Sequence, residues 1–275
     1  MYEDKDPDGV PEEMRRNGGA SMPSSALAQT DGGANVAAMQ SDRREQPAQE
    51  ASDTASQADR QRMADRPTAH FYGRETLDRE MRAIKDEVLR MGSLVAAQIG
   101  IAIEALVDHD ADKATTAIVG DGRINEAQRH VASLITTAIA TQQPVARDLR
   151  FLLALDHVGY ELERMGDHAG SVAKQARKLA PHPPLKQYVD LPRMGELAAE
   201  QVRGVLRALV DLDVDVAREV AHRDDEMDNL YHGIFDEVLV LMRNDPGNVE
   251  RGTRILFAAH YLERIGDRVT NIAED

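Results

Sequence analysis

The sequence predicts an all-α fold: two tandem, pseudo-symmetric three-helix bundles behind a disordered N-terminal tail. Three observations predict it. Apolar residues follow helical spacing almost throughout from Phe71 onward, with no strand-type alternation; a stretch of about one hundred residues is written twice; and the composition changes sharply near Thr68.

Residues 1–68 are rich in Ala, Gln, Ser, Asp, Arg, Gly and Pro, with Tyr2 the only aromatic and Leu27 the only leucine. Such a segment has too little apolar surface to offset the entropy of ordering, so this acidic tail is expected to be disordered. It lacks the apolar core of a secretory signal and the Arg-rich, acid-poor character of a transit peptide. No run of about 18 apolar residues follows, so the expectation is a cytoplasmic protein with no direct membrane insertion.

Six helices are expected, at Glu75–His109, Ala111–Gln142, Ala146–Leu179, Leu191–Val210, Asp213–Arg243 and Gly247–Asp275. The first and fourth open the repeat: aligning the stretch from Met91 with that from Met194 gives 13 identities in 35 positions at an offset of 103. The second and fifth each follow Ala-Leu-Val-Asp (Ala105–Asp108 and Ala208–Asp211), soon after which both copies read Asp-x-Asp-x-Ala (Asp110–Ala114 and Asp213–Ala217). The third carries a heptad seam, Leu155, Val158, Leu162, Met165, Ala169, Val172, Ala176 and Leu179, as a long helix in a near-antiparallel bundle should. The sixth repeats the Glu-Arg-apolar-Gly-Asp of the third, now at an offset of 100. Prolines at 144, at 181–192 and at 246 punctuate the pattern. The tail is thus expected at 1–68 and the two repeats at 69–182 and 189–275.

The chain carries 48 acids against 33 bases, a formal charge of −15, which repels nucleic acid and attracts cations or basic protein surfaces. It has no cysteine, which excludes disulfides, thiolate zinc sites, iron–sulfur clusters and cysteine nucleophiles. Any metal must use oxygen or imidazole ligands. Glu163 and Asp167 lie four residues apart, on one helical face but outside the apolar seam, and Glu263 and Asp267 repeat the arrangement. The preceding helices add Asp121 (with Asn125) and Asp224 (with Asp228), again four apart. Carboxylates from two adjacent helices are what a hard or borderline cation requires. The competing reading is a solvated acidic face, with Arg164 forming ordinary ion pairs. Gly166 and Gly266 each cost about 1 kcal/mol in mid-helix, which implies close approach of either the facing helix or a ligand.

Other signals are weaker. Glu219–His222 has a di-iron spacing, but the other repeat has Thr116 and Val119 in its place. His168 reads as a solvated residue. Arg147, Asp148 and Arg150, just after Pro144, form a candidate partner or phosphate contact. The chain shows no glycine-rich phosphate loop, nucleophile elbow or H-E-x-x-H, and reads as no enzyme.

From "MGSLV", "EALVD", "QQPVARDLR" and the doubled "LERMGDHAGSVA" and "LERIGDRVTNIAE", the chain resembles the PhoU family of phosphate-specific transport accessory proteins over about residues 71–275. The resemblance implies two three-helix bundles whose acidic motifs hold metal clusters, of iron, zinc, manganese or magnesium. By position that role falls to Glu163, Asp167, Glu263 and Asp267, with Asp121, Asp224 and Asp228 as companions; Asn125 replaces an acid and implies a weaker first site. It also implies an adaptor between the phosphate transporter's ATPase subunit (PstB) and a sensor histidine kinase (PhoR), peripheral to the inner membrane through those partners. That adaptor represses the phosphate-starvation response. Monomer and homodimer stay open. The alternatives are a metal-storage bundle and a purely structural scaffold. The family's last helix normally runs further than "NIAED", and its first-repeat counterpart continues seven residues more, to Ala180, so the second bundle is expected to lack some seam positions.

Overall fold

Two helix starts use one device. After Ala105–Asp108 and after Ala208–Asp211 a single residue turns into left-handed backbone, His109 (φ 53°) and Leu212 (φ 55°), and the aspartate that follows caps the next helix. Asp110 accepts from the N–H groups of Asp112 and Lys113 at 2.9 Å, and Asp213 from those of Asp215 and Val216 at 3.1 Å. Each carboxylate satisfies two otherwise orphaned donors and suits the positive end of the helix dipole. This is the work of the first aspartate in the doubled Asp-x-Asp.

The structure is a computed structural model that describes residues 69–274; the expected tail lies outside them. The described residues form helices α1 (Ala69–Val107), α2 (Ala111–Gln142), α3 (Ala146–Leu179), α4 (Asp190–Asp211), α5 (Val214–His222), α6 (Asp224–Asn244) and α7 (Val249–Glu274), with a 3₁₀ turn at Pro246–Asn248. No strand occurs among them. One expectation is corrected: the single helix expected at Asp213–Arg243 breaks at Arg223 into α5 and α6. The break places three acids, Asp224, Asp225 and Glu226, in the first turn of a new helix, where the dipole favours them.

Helices α1, α2 and α3 pack on one another, and α4 to α7 form the second group. All eight expected seam residues of α3 are buried, from Leu155 to Leu179. The groups join through α1 on α4 and α3 on α7, and both joints are made twice with the roles exchanged. A Cβ on Gly92 would stand 2.0 Å from Leu206 Cδ1, and one on Gly195 2.5 Å from Ile103 Cγ1. At the offset of 103, Gly92 corresponds to Gly195 and Ile103 to Leu206. Each glycine therefore receives the large side chain that its counterpart's helix presents.

Between α3 and α7, Arg268 donates to the buried Glu161 at 3.4 Å, and His168 stacks on Tyr261 with ring centroids 6.0 Å apart. At the offset of 100 these two pairs also exchange, Glu161 matching Tyr261 and His168 matching Arg268. The expectation that His168 is solvated is thus corrected. Its ring is half-buried under α7, and burial first, with nearby Arg268 next, holds its pKa below the usual histidine value.

The expectation of no direct membrane insertion meets one long apolar helix, α1. Its stretch Arg74–Val107 is long and apolar enough to cross a membrane, although 56% of the apolar window is buried inside the bundle. The sequence expectation asked for an uninterrupted apolar run, whereas a mean hydropathy tolerates the occasional charge. Residues such as Val88, Met91, Val95 and Ile99 are fully covered, which is how a helix at the centre of a bundle must be composed.

Candidate metal sites

Each Glu-Arg-x-Gly-Asp turn lies on the flank of its helix beside the preceding long helix, α3 beside α2 and α7 beside α6. The glutamates are the more covered members, 22% exposed at Glu163 and 16% at Glu263. In both repeats the intervening arginine spans the pair. Arg164 lies 3.5 Å from Glu163 through Nε and donates from Nη1 to Asp167 at 3.1 Å; Arg264 makes the same contacts at 3.4 and 2.8 Å. Tyr160 accepts from Arg164 at 3.1 and 2.9 Å and braces it. The arginine thus screens two like charges one turn apart.

The glycine answers its own question. A Cβ on Gly166 would stand 2.9 Å from Ile124 Cδ1 and 3.5 Å from Asp121 Oδ1; one on Gly266 would stand 3.0 Å from Asp224 Oδ1 and 3.4 Å from Met227 Cγ. Close helix packing and access for a facing carboxylate are therefore the same contact. The missing side chain lets α2 and α6 approach, and the approach sets Asp121 and Asp224 over the motifs.

Two acidic clusters result, Asp121, Glu163 and Asp167 in the first repeat and Asp224, Asp228, Glu263 and Asp267 in the second. Asn125 donates its amide to Asp121 at 3.3 Å where the second cluster has the carboxylate of Asp228. Burial first, then Asp167, pushes the Asp121 carboxyl above the usual range, and burial, Asp167 and Asp121 do the same to Glu163. In the second cluster Asp224 is raised by burial, then Asp228 and Asp267, and Glu263 by burial, then Asp267. His260, 3.5 Å from Glu263 through Nδ1, is held below the usual histidine value by burial and Arg264.

The donor set fits a hard cation. Asp121 Oδ1 and Asn125 Oδ1 are buried without a hydrogen bond, and Glu163 Oε2 and Glu263 Oε2 are buried with only the long arginine contacts at 3.5 and 3.4 Å, a costly state for an oxygen unless a cation or proton meets it more closely. Among the described residues, however, no three His, Asp or Glu side chains already stand as a metal cage. The arginine bridges take part of that role, so a metal would compete with Arg164 and Arg264 for the same oxygens. Glu219 and His222, the di-iron spacing, are both exposed.

Raised carboxyls give a signed pH dependence. A folded pKa above the unfolded one means that the native state binds more protons between the two values, so stability falls as pH rises through that window. With chelator present, Glu163→Gln together with Glu263→Gln mimics the protonated forms. We expect the variant to melt higher than the wild type at pH 7.5, by about 1–4 °C for up to about 1 kcal/mol, and the gap to close on acidification toward the ordinary carboxylate range near pH 4. A gap unchanged by pH would show that the glutamates are not strained as anions.

Arg147, Asp148 and Arg150 do not join these clusters. They sit at the start of α3, roughly 20 Å along its axis from Glu163, and line a separate cleft with Arg74 and Lys85.

Comparison with known proteins agrees with the doubled geometry. The family model described as "PhoU domain" matches twice, at residues 88–176 and 191–275. The chain is 37% identical over 202 residues to the phosphate-specific transport system accessory protein PhoU homolog of Clostridium acetobutylicum, which covers 73% of this chain and 92% of that protein. It is 36% identical over 208 residues to the homolog of Caulobacter vibrioides, covering 75% and 88%. Among solved structures, PhoU from Pseudomonas aeruginosa matches with a TM-score of 0.68 at 33% identity, over 72% of this chain and 95% of that one. The phosphate transport system regulatory protein PhoU from Streptococcus pneumoniae matches with 0.66 at 28% identity, over 72% and 93%.

Proposed function

We propose that this chain, which belongs to the PhoU family, is a non-enzymatic adaptor that represses phosphate uptake and the phosphate-starvation response when phosphate is plentiful. The observation that carries the reading is the double match to the PhoU domain in a chain similar, over most of its length, to accessory proteins of the phosphate-specific transport system. The partners in this reading are the transporter's ATPase subunit (PstB) and a sensor histidine kinase (PhoR).

Metal belongs to the same proposal. Asp121, Glu163 and Asp167 would hold one site, and Asp224, Asp228, Glu263 and Asp267 the other. A bound di- or trivalent cation would supply positive charge to carboxylates that burial leaves poorly compensated, and would tie α2 to α3 and α6 to α7. The buried oxygens of Asp121, Glu163 and Glu263 that make no hydrogen bond support this reading, as does the glycine at the same place in both motifs.

The test is genetic. In a strain lacking the gene, a reporter driven by a phosphate-starvation promoter should switch on in high phosphate, and the intact gene in trans should silence it again. A reporter that stays silent without the gene would remove the regulatory reading.

A further inference from the structure

The cleft at the start of α3 has a volume of about 610 Å³ and a charge opposite to that of the chain as a whole. Arg74 and Lys85 from α1 face Arg147 and Arg150 from the first turns of α3, above a floor that includes Phe151 and Leu212. Asp148 is the one acid among the lining residues, and Arg74 donates to it at 2.5 Å. Lys85 stands 4.7 Å above the Phe151 ring and donates to the Val210 carbonyl at 3.4 Å, which fixes its ammonium at the cleft wall. Arg147 and Arg150 are exposed and have no carboxylate partner among the described residues. Arg74 is also held by Asp78 at 3.0 Å, so four cations against two acids leave two positive charges, centred on Lys85, Arg147 and Arg150, in a chain of formal charge −15.

We propose that this cleft binds an oligophosphate: a di- or triphosphate group, either free or carried by a nucleoside. Guanidinium groups pair with phosphate oxygens through two parallel donors, and cations spread over two helices suit a ligand with more than one charged phosphoryl group. The volume exceeds what a single tetrahedral anion fills and lies in the range of small-molecule sites. The exposed part of Phe151 and the aliphatic floor offer a nucleoside a face; a bare oligophosphate would use the cations alone. The site is separate from the acidic clusters and its charge needs no metal.

Calorimetric titration of the full chain tests this, in EDTA so that no metal bridges a phosphate to the acidic motifs. The probes are sodium tripolyphosphate, ATP and inorganic orthophosphate at one ionic strength. We expect one tripolyphosphate or ATP per chain, weaker binding of orthophosphate, and a loss of about tenfold or more in affinity in Arg147→Glu, Arg150→Glu. Both arginines are exposed, so this variant should keep the wild-type melting curve. Lys85→Gln should weaken binding as well, from the opposite wall. ATP binding tighter than tripolyphosphate identifies the nucleoside-borne group; equal affinities identify the bare chain. Absence of binding by either oligophosphate, or binding that the double arginine variant leaves unchanged, overturns the proposal.

Discussion

Replacing Glu163, Asp167, Glu263 and Asp267 together by alanine is expected to bring the metal carried by the chain to background. The measurement is plasma mass spectrometry on the full chain purified without an affinity tag, beside the wild type. The wild type should carry iron, zinc or manganese, because partly buried carboxylates clustered on two helices, with oxygens that make no hydrogen bond, suit a hard or borderline cation. The two clusters should differ. The second offers four carboxylates and the first only three, with Asn125 in the remaining place, so Asp228→Asn should weaken the second site and Asn125→Asp strengthen the first. Each exchange changes a ligand candidate and should move affinity at least as far as the roughly 10–100-fold typical of outer-shell substitutions. Binding would also register as stability. At a free metal concentration a hundred times Kd, linkage adds about 2.7 kcal/mol, which raises the melting temperature by about 5–11 °C for a domain of this size. Equal, negligible metal in wild type and variant would leave the motifs as arginine-braced packing surfaces.

Gly195→Leu is expected to destabilise the fold by about 3 kcal/mol, at the upper end of ordinary overpacking, and to lower the melting temperature by about 6–12 °C. Even a single carbon at this position would stand 2.5 Å from Ile103 Cγ1. Ile103 is β-branched and cannot swing away freely, so α1 and α4 must separate. Ile103→Ala should restore part of the loss. The matched control is Gly100→Ala, on the same α1 helix, where an added Cβ meets nothing within 4 Å; there the better helix propensity of alanine should stabilise by up to about 1 kcal/mol. Thermal melts of these three variants beside the wild type decide it. Similar, small effects at Gly195 and Gly100 would mean that the α1–α4 joint has slack.

Much of this arrangement is legible in the sequence because it depends on neighbours three or four residues apart. The α3 seam from Leu155 to Leu179 follows directly from heptad spacing, and the ends of α2 and α3 follow from Asp110, Pro144 and Pro181. Pairing of Glu163 with Asp167, and of Glu263 with Asp267, needs only helical geometry. What spacing along one helix cannot give is the identity of the facing helix. Gly92 and Gly195 stand out as repeated letters, but their partners Leu206 and Ile103 lie about a hundred residues away. His168 looks like a surface residue on α3 alone and becomes half-buried only when α7 covers it. The cleft is hidden for the same reason, since Arg74 and Lys85 meet Arg147 and Arg150 only after α1 and α3 align. The break at Arg223 has no Gly or Pro to announce it, although the acidic run Asp224, Asp225, Glu226 is a helix-start signal in hindsight.

The exchanged contacts between the two repeats carry a consequence for assembly. Gly92 with Leu206 and Gly195 with Ile103, like Glu161 with Arg268 and His168 with Tyr261, obey the rule of an isologous dimer, in which residue i touches j and j touches i. The chain is in effect a two-fold dimer joined by its own Pro181–Val189 connection. The contact positions match across the pseudo-two-fold, although the side chains that meet there have diverged. The covalent link replaces a second-order encounter with an intramolecular one. It also frees the halves to diverge. An asparagine can stand at 125 opposite an aspartate at 228, and a basic cleft can develop at one end only, which a true homodimer could not allow.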